Sequence, residues 1–240
     1  MNEIAELAKG SFDGASWLIT ARTGGVSKDQ FAQTNFSLNV GEDSKLVQVN
    51  RSRLAAQIGK PITFAKAIHS KNIAWVDEKC SDEIAEVDGL ITSSKNRAIA
   101  TLSADCATVL IFALGVKIIA NLHAGWKGMS DGILPKTIYE LRAVGAREIK
   151  ALIGPTICGE CYVVSEDRYR EVKTKVPAAC FINKQNEFTI DVRAGLAWQL
   201  LNEKVSFENV LICPFEDENA YSFRRDHKTG RMASVIWLNN

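Results

Sequence analysis

Short, nearly continuous apolar runs alternate with longer amphipathic ones along this chain of 240 residues. The short runs "SWLITAR", "ITFAKAI", "NIAWV", "GLIT", "AIATLS", "TVLIFAL", "VKIIANL", "IKALIG" and "ENVLIC" read as strands, and the C-terminal "RMASVIWL" as a last one. The links among several of them are too short for crossover helices, which favours antiparallel or mixed pairing over a doubly wound parallel sheet. A helix is expected from about Ser44 to Ile58, where Leu46, Val49, Leu54 and Ile58 recur at roughly helical spacing and Asp43 or Ser44 can cap the N-terminus. Further helices are expected near 130–144, 165–175 and 191–204. Together these elements predict an α+β (mixed α/β) fold, with central mixed or antiparallel sheet layers flanked by helices. No linker, low-complexity tract or repeat divides residues 1–240, so one domain is expected.

Composition narrows the function class. The formal net charge is +1, with lysines and arginines interspersed among acids rather than gathered into a basic field, so nucleic acid is not an expected partner. No segment approaches the ~20 apolar residues that span a bilayer, and the N-terminus carries acids where an export signal needs bases. A cytoplasmic location is therefore expected. The six cysteines are then expected to be reduced, and free for packing, metal binding or catalysis.

Histidine is scarce enough to consider residue by residue: His69, His123 and His227 are the whole set. His69 ends one apolar run, Cys106 begins another, and His123 ends a third. If these strands are neighbours in one sheet, the three side chains converge at one rim. Two imidazoles and a thiolate would then suit a catalytic zinc ion with one position open. Spacing leaves two other readings standing. Cys106 can be a small buried hydrophobe beside hydrogen-bonded histidines, or a metal-free nucleophile with His123 as its base. The "CGEC" at Cys158 to Cys161 has CxxC spacing, but without a second pair or a nearby histidine it reads as structural thiols. His227, in the charged turn "RRDHKTGR", reads as solvent-exposed. Arg224 and Arg225 read as braces for the C-terminal strand.

The segments "TARTGGVS", "SLNVGED" followed by "VNRSRLA", "SADCATVLIF", "LHAGWKGM", "IGPTICGECYVV" and "YSFRRDHKTGR" resemble, in order and spacing, the bacterial laccase-domain family. Its members are described as purine nucleoside phosphorylases with adenosine deaminase activity, and some as polyphenol oxidases or peptidoglycan-editing factors. The resemblance runs from about Ser16 to Leu238. It implies a cysteine-hydrolase-like α/β fold and a zinc site in which His69, Cys106 and His123 are the ligands. The chain departs from the family pattern in four places: "AIH" replaces "QVH", Thr108 stands where a proline is usual, Lys127 where an arginine is, and Val163 where a glutamate is. At Lys127 a point charge replaces a bidentate fork, which weakens any anion-clamping role.

The activities of the family can be weighed on chemistry. Three histidines cannot furnish the several copper centres of a multicopper oxidase, although Cu²⁺ could enter a His/His/Cys site and give weak phenol oxidation. Purine deamination fits a metal-activated water with its pKa lowered toward ~7. Phosphorolysis needs an anion pocket, for which Arg22 beside Gly24 and Gly25 is the candidate. Asn39 could bind ribose or phosphate, and Trp126 could stack on a purine or act as a packed lid. Asp105 adjoins Cys106 but should face the other way, which suggests that it orients backbone or a ligand histidine. The expected function is thus a zinc-dependent purine nucleoside enzyme, monomeric or homodimeric, taking a nucleoside and phosphate. Its alternatives are a Cys/His amidase editing a peptidoglycan precursor and a weak copper-dependent polyphenol oxidase.

Overall fold

Most of the apolar runs become strands and, joined by Glu6–Phe12 and Glu83–Ala85, which the apolar pattern does not mark, they form two six-stranded mixed sheets stacked face to face among the described residues, 3–239, of this computed structural model. In strand order, the first sheet is Glu6–Phe12, Ala15–Thr20, Met232–Leu238, Ala98–Ser103, Ile62–Lys66 and Glu83–Ala85. The second is Ser206–Asn209, Ile149–Ile153, Ala107–Ala113, Ile118–Ala124, Gly89–Thr92 and Ile73–Trp75. Most pairings are antiparallel, with parallel ones toward the sheet edges, for example Ile62–Lys66 with Ala98–Ser103 and Ile149–Ile153 with Ser206–Asn209. Cys180–Ile182 and Phe188–Ile190 form a separate hairpin.

Burial on both faces explains the unbroken hydrophobicity of "TVLIFAL" and "VKIIANL". Ile19, Ile99 and Ile236 of the first sheet meet Leu110, Phe112, Ile119 and Leu152 of the second in the inter-sheet core. On its other face, the second sheet packs Val109, Ile111, Ala120 and Leu122 against helices Ile133–Ala143 and Val192–Asn202. On the far side of the first sheet, Leu18, Phe64 and Val235 meet Leu54 of helix Ser44–Ile58. The layers therefore run helix, sheet, sheet, helix. Two polar bridges tie the sheets without leaving unpaired groups: Thr101 Oγ1 donates to Asn121 Oδ1 at 2.6 Å, and the hydroxyls of Thr108 and Ser234 pair at 2.8 Å.

Helix Ser44–Ile58 has the predicted bounds, with the Asp43 side chain accepting from the Lys45 N–H and Gly59 closing it in the left-handed region. Its inward face differs from the apolar pattern. Val49 is exposed, while Val47, Asn50, Arg51 and Leu54 are buried. Asn50 is buried because its amide bonds the backbone oxygens of Gln33 and Asn35, and Arg51 because it pairs with Glu83 over the Phe64 ring. Pattern reading had no means to see such partners, since they come from distant segments. A short helix, Trp126–Asp131, also begins inside "LHAGWKGM", ahead of the expected one.

Candidate active site

Cys106 immediately precedes strand Ala107–Ala113 of the second sheet and His123 lies on the neighbouring strand Ile118–Ala124, with Thr108 paired with His123 and Ala107 with Ala124. His69 arrives differently. It lies between Ile62–Lys66 of the first sheet and Ile73–Trp75 of the second, in the segment that crosses from one sheet to the other. The convergence of three strands of a single sheet expected from the sequence is thus replaced by a meeting of two sheets at one edge. The ligand-capable atoms of the three residues lie within 4.8 Å of one another, with Cys106 Sγ 3.8 Å from His69 Nε2 and the imidazoles edge to face at 4.9 Å.

Asp88 holds this arrangement, and sequence reading missed it. Its fully buried carboxylate accepts the N–H groups of Ile68, His69 and Ser70, the Ser70 hydroxyl, and His123 Nδ1 at 2.9 Å. Its backbone oxygen accepts the His123 N–H at 2.7 Å. His69 takes a left-handed φ of 59°, a conformation that costs a non-glycine residue about 1–3 kcal/mol. The Asp88 carboxylate fixes that turn. An ionised carboxylate only accepts, so His123 Nδ1 donates and its Nε2 is the free donor atom toward Cys106 and His69. The signal available in the sequence was a charge, in "VDGLIT", directly before an apolar strand.

Burial pushes the Asp88 carboxyl up, but the hydrogen bonds from His123 and Ser70 more than offset this and hold it at about 2. Burial likewise pushes the Cys106 thiol up, while the charge and hydrogen bond of His123, then those of His69, pull it down to about 6. For His123, burial acts downward, and the Cys106 thiolate and Asp88 together raise it to about 9. Between those values the bare donors are a thiolate and an imidazolium.

Gly125 is required by close approach. A Cβ there would lie 3.0 Å from Cys106 Sγ and 3.2 Å from the His69 ring. The glycine next to the tryptophan therefore keeps a side chain off Cys106 and His69.

Two cavities meet at this cluster. One, ≈ 710 Å³ with its open mouth, is lined by His69, Cys106, Trp126, Tyr162, Phe223 and Arg224 among others. Arg168 stacks over Trp126 at 4.8 Å, and Arg224 over Tyr162 at 5.0 Å. The other cavity is polar and includes His69, His123, Ser37, Asn39, Arg51 and Arg231. Arg231 donates to the carbonyls of Thr229 and Gly230 and has no ion pair among the described residues. It is the last residue of "YSFRRDHKTGR", where nothing in the local pattern marks it apart from the other arginines.

The remaining expected site residues are distributed unevenly. Trp126 and Asn39 line one cavity each. Arg22 lines neither: its Nε donates to the Ala32 carbonyl and its guanidinium lies over Tyr221 at 5.1 Å. The glycines beside it face the chain itself, since a Cβ on Gly25 would lie 2.1 Å from the Gln33 oxygen and one on Gly24 2.2 Å from the Glu3 oxygen. That turn is filled by backbone, and Arg22 is not placed as an anion clamp at this site. Lys127 is exposed outside both cavities and pairs with Asp131 at 2.6 Å. Asp105 takes a φ of 89° and accepts the Arg224 N–H at 2.6 Å, which anchors the segment carrying Arg224; the acid that orients a histidine is Asp88. Arg225 braces the carbonyls of Pro214, Asp217 and Ala220, whereas Arg224 reaches the aromatic cavity with its guanidinium bonded to the Val163 carbonyl. His227 is exposed.

A two-sheet α+β fold with a His/His/Cys cluster where the sheets meet is the setting for the comparisons with known proteins. The family model for the multi-copper polyphenol oxidoreductase laccase matches residues 16–239, and the chain belongs to that family. It is 36% identical to a purine nucleoside phosphorylase of Corynebacterium glutamicum over 229 residues, 92% of this chain and 93% of that one. It is 34% identical to a purine nucleoside phosphorylase of Mycobacterium tuberculosis over 91% of this chain and 90% of the relative. Among solved structures, a Neisseria meningitidis protein superposes with a TM-score of 0.88 at 29% identity, covering 97% and 99% of the two chains. YlmD from Geobacillus stearothermophilus does so at 0.88 and 26%, covering both chains fully. No helix among the described residues is long and apolar enough to cross a membrane.

Proposed function

We propose that this chain is a zinc-dependent purine nucleoside enzyme. It would phosphorolyse adenosine, inosine and methylthioadenosine to the free base and the corresponding ribose 1-phosphate, and deaminate adenosine at the same site. The observation that carries this reading is the position of His69, Cys106 and His123 on the wall between an aromatic cavity and a polar one that contains arginine. The relatives named purine nucleoside phosphorylase support it.

The donor set fits the metal that the family resemblance implies. A thiol held down at about 6 is a ready thiolate, and the Asp88 bond to Nδ1 leaves His123 Nε2 as the coordinating atom. Zinc bound there would supply Lewis-acid activation of a water or a substrate oxygen, and Cu²⁺ could occupy the same donors. Trp126 and Tyr162 would present ring faces to the purine. Arg231 and Asn39 would hold phosphate and ribose. A phosphate oxygen then forms a bond to C1′ as the glycosidic C–N bond breaks, and the base leaves with the electron pair. Arg231 keeps the anion in line for that displacement. Chelation should abolish adenine release from adenosine plus phosphate, and added Zn²⁺ should restore it; activity indifferent to metal removal would overturn the reading.

One observation favours a second reading, the amidase acting on a cell-wall precursor: the low thiol pKa and the adjacent imidazolium are what a metal-free cysteine nucleophile needs. In metal-free protein, alkylation of Cys106 should rise as pH increases through about 6 and level off above it, because the thiolate is the reacting form. Under that reading the metal-free protein should also turn over a muramoyl-serine amide. Alkylation without such turnover would leave only the metal-dependent reading.

A further inference from the structure

The CxxC motif has a second half that is invisible in the sequence. Cys213 lies fifty-five residues beyond Cys158, and Glu216 fifty-five beyond Cys161. The fold brings one ligand-capable atom from each of the four within 4.8 Å of the others. Both halves have the same build. The Cys161 N–H donates to the Cys158 carbonyl at 3.1 Å, and the Glu216 N–H to the Cys213 carbonyl at 3.0 Å, so C-x-x-C and C-x-x-E are two tight turns facing each other. The Cys158 N–H also points at Cys213 Sγ, 3.4 Å away. Cys161 Sγ and Glu216 Oε1 are 3.5 Å apart, which is the ~3.5 Å edge of a tetrahedron with Zn–S and Zn–O bonds of ~2.3 and ~2.0 Å.

We propose that Cys158, Cys161, Cys213 and Glu216 form a second, structural zinc site that staples the turn after Ile157 to the turn after Ile212. Four protein donors on two rigid turns fill a tetrahedral shell and leave no position for substrate, the pattern of a structural rather than a catalytic ion. Three thiolates select zinc over the hard oxygen-seeking cations. The geometry gives the ion a role. Ile157 and Tyr162, which line the aromatic cavity, directly flank the two cysteines of the first turn. The second turn is already gathered by Arg225 through the carbonyls of Pro214, Phe215 and Asp217. Zinc would lock these two turns together behind the cavity wall.

The test is made in Cys106→Ala protein, so that the cluster at the sheet edge does not supply a thiolate, and it reads metal content and spectrum rather than activity. Purified under reducing conditions and loaded with Co²⁺, this variant should retain one tightly held equivalent and show the sulfur-to-cobalt charge-transfer band of a multi-thiolate tetrahedral site. Adding Cys213→Ser should lower the intensity of the band and loosen the cobalt toward a chelator, and adding the milder Glu216→Gln should shift the band and weaken retention while the circular dichroism spectrum is preserved. Absence of the band from folded Cys106→Ala protein, an undiminished band with undiminished retention in folded Cys213→Ser, or a Cys158–Cys161 disulfide found by mass spectrometry in the reduced preparation would each overturn the proposal.

Discussion

Two donor clusters in this molecule are built by opposite means. His69, Cys106 and His123 are held at the junction of two sheets, with three donors, an open side over Gly125, and orientation supplied by the buried carboxylate of Asp88. Cys158, Cys161, Cys213 and Glu216 lie on two surface turns, with four donors, local backbone bonds for orientation, and a spacing repeated in each half. The difference teaches where each function can reside. A cluster that faces two cavities can exchange ligands, whereas a cluster whose shell is completed by the protein can only hold segments together. The sheet-edge cluster depends on an acid remote in sequence, and the one on the turns needs only those two turns to meet.

Substitutions can break or sharpen this contrast. The largest effect is expected from Cys106→Ala, which should lower adenine release from adenosine plus phosphate by more than ~100-fold, beyond what loss of an outer partner costs, while zinc at the surface turns is kept. Retained phosphorolysis would remove the functional half of the contrast. Asp88→Asn comes next, with metal affinity at the sheet edge reduced about 10- to 100-fold in a competition titration, since the acceptor that orients His123 is weakened without touching a donor. An unchanged affinity would mean that packing alone positions the imidazole.

The two cavities should separate in steady-state kinetics. Arg231→Ala is expected to raise KM for phosphate by about tenfold or more, the loss of a charged hydrogen bond, with KM for adenosine little changed. Trp126→Ala should do the reverse by a similar factor, as a base loses a stacking face. Equal effects on both substrates would merge the two compartments into one. The smallest effect on catalysis is expected from Glu216→Gln, which should leave kcat near its original value and lower the melting temperature by a few degrees, at ~2–4 °C per kcal/mol in a chain of this size. A large fall in kcat with an unaltered melting temperature would contradict a purely structural role.

The central strands were legible because burial on both faces writes an unbroken apolar run, as in Thr108 to Ala113, whereas the partly exposed edge strands Glu6–Phe12 and Glu83–Ala85 carry no such run. Helix Ser44–Ile58 was legible in its bounds but not in its inward face, because Asn50 and Arg51 are buried by partners at Gln33, Asn35 and Glu83. At the site, His69, Cys106 and His123 stood out through the scarcity of histidine and the family resemblance. Asp88 and Arg231 did not, because an acid or an arginine is common along a chain and becomes informative only when its surroundings are known. Arg22 misled for the converse reason: a glycine pair reads as room for a ligand, but here the room is taken by the Gln33 and Glu3 carbonyls.

By itself, then, the sequence marked most of the central strands, though not Glu6–Phe12, Glu83–Ala85, Cys180–Ile182 or Phe188–Ile190, together with the bounds of helix Ser44–Ile58, the family and, through that resemblance, the three residues of the sheet-edge cluster. Those are properties of local pattern and of residue type. Only the tertiary structure decided that His69 reaches the cluster from the crossover between sheets, that Asp88 orients it, and that Cys213 and Glu216 complete the CxxC turn. Each of these depends on contacts between segments far apart in the chain. Such a contact is fixed by how layers pack, and neither of its residues carries a mark of the other.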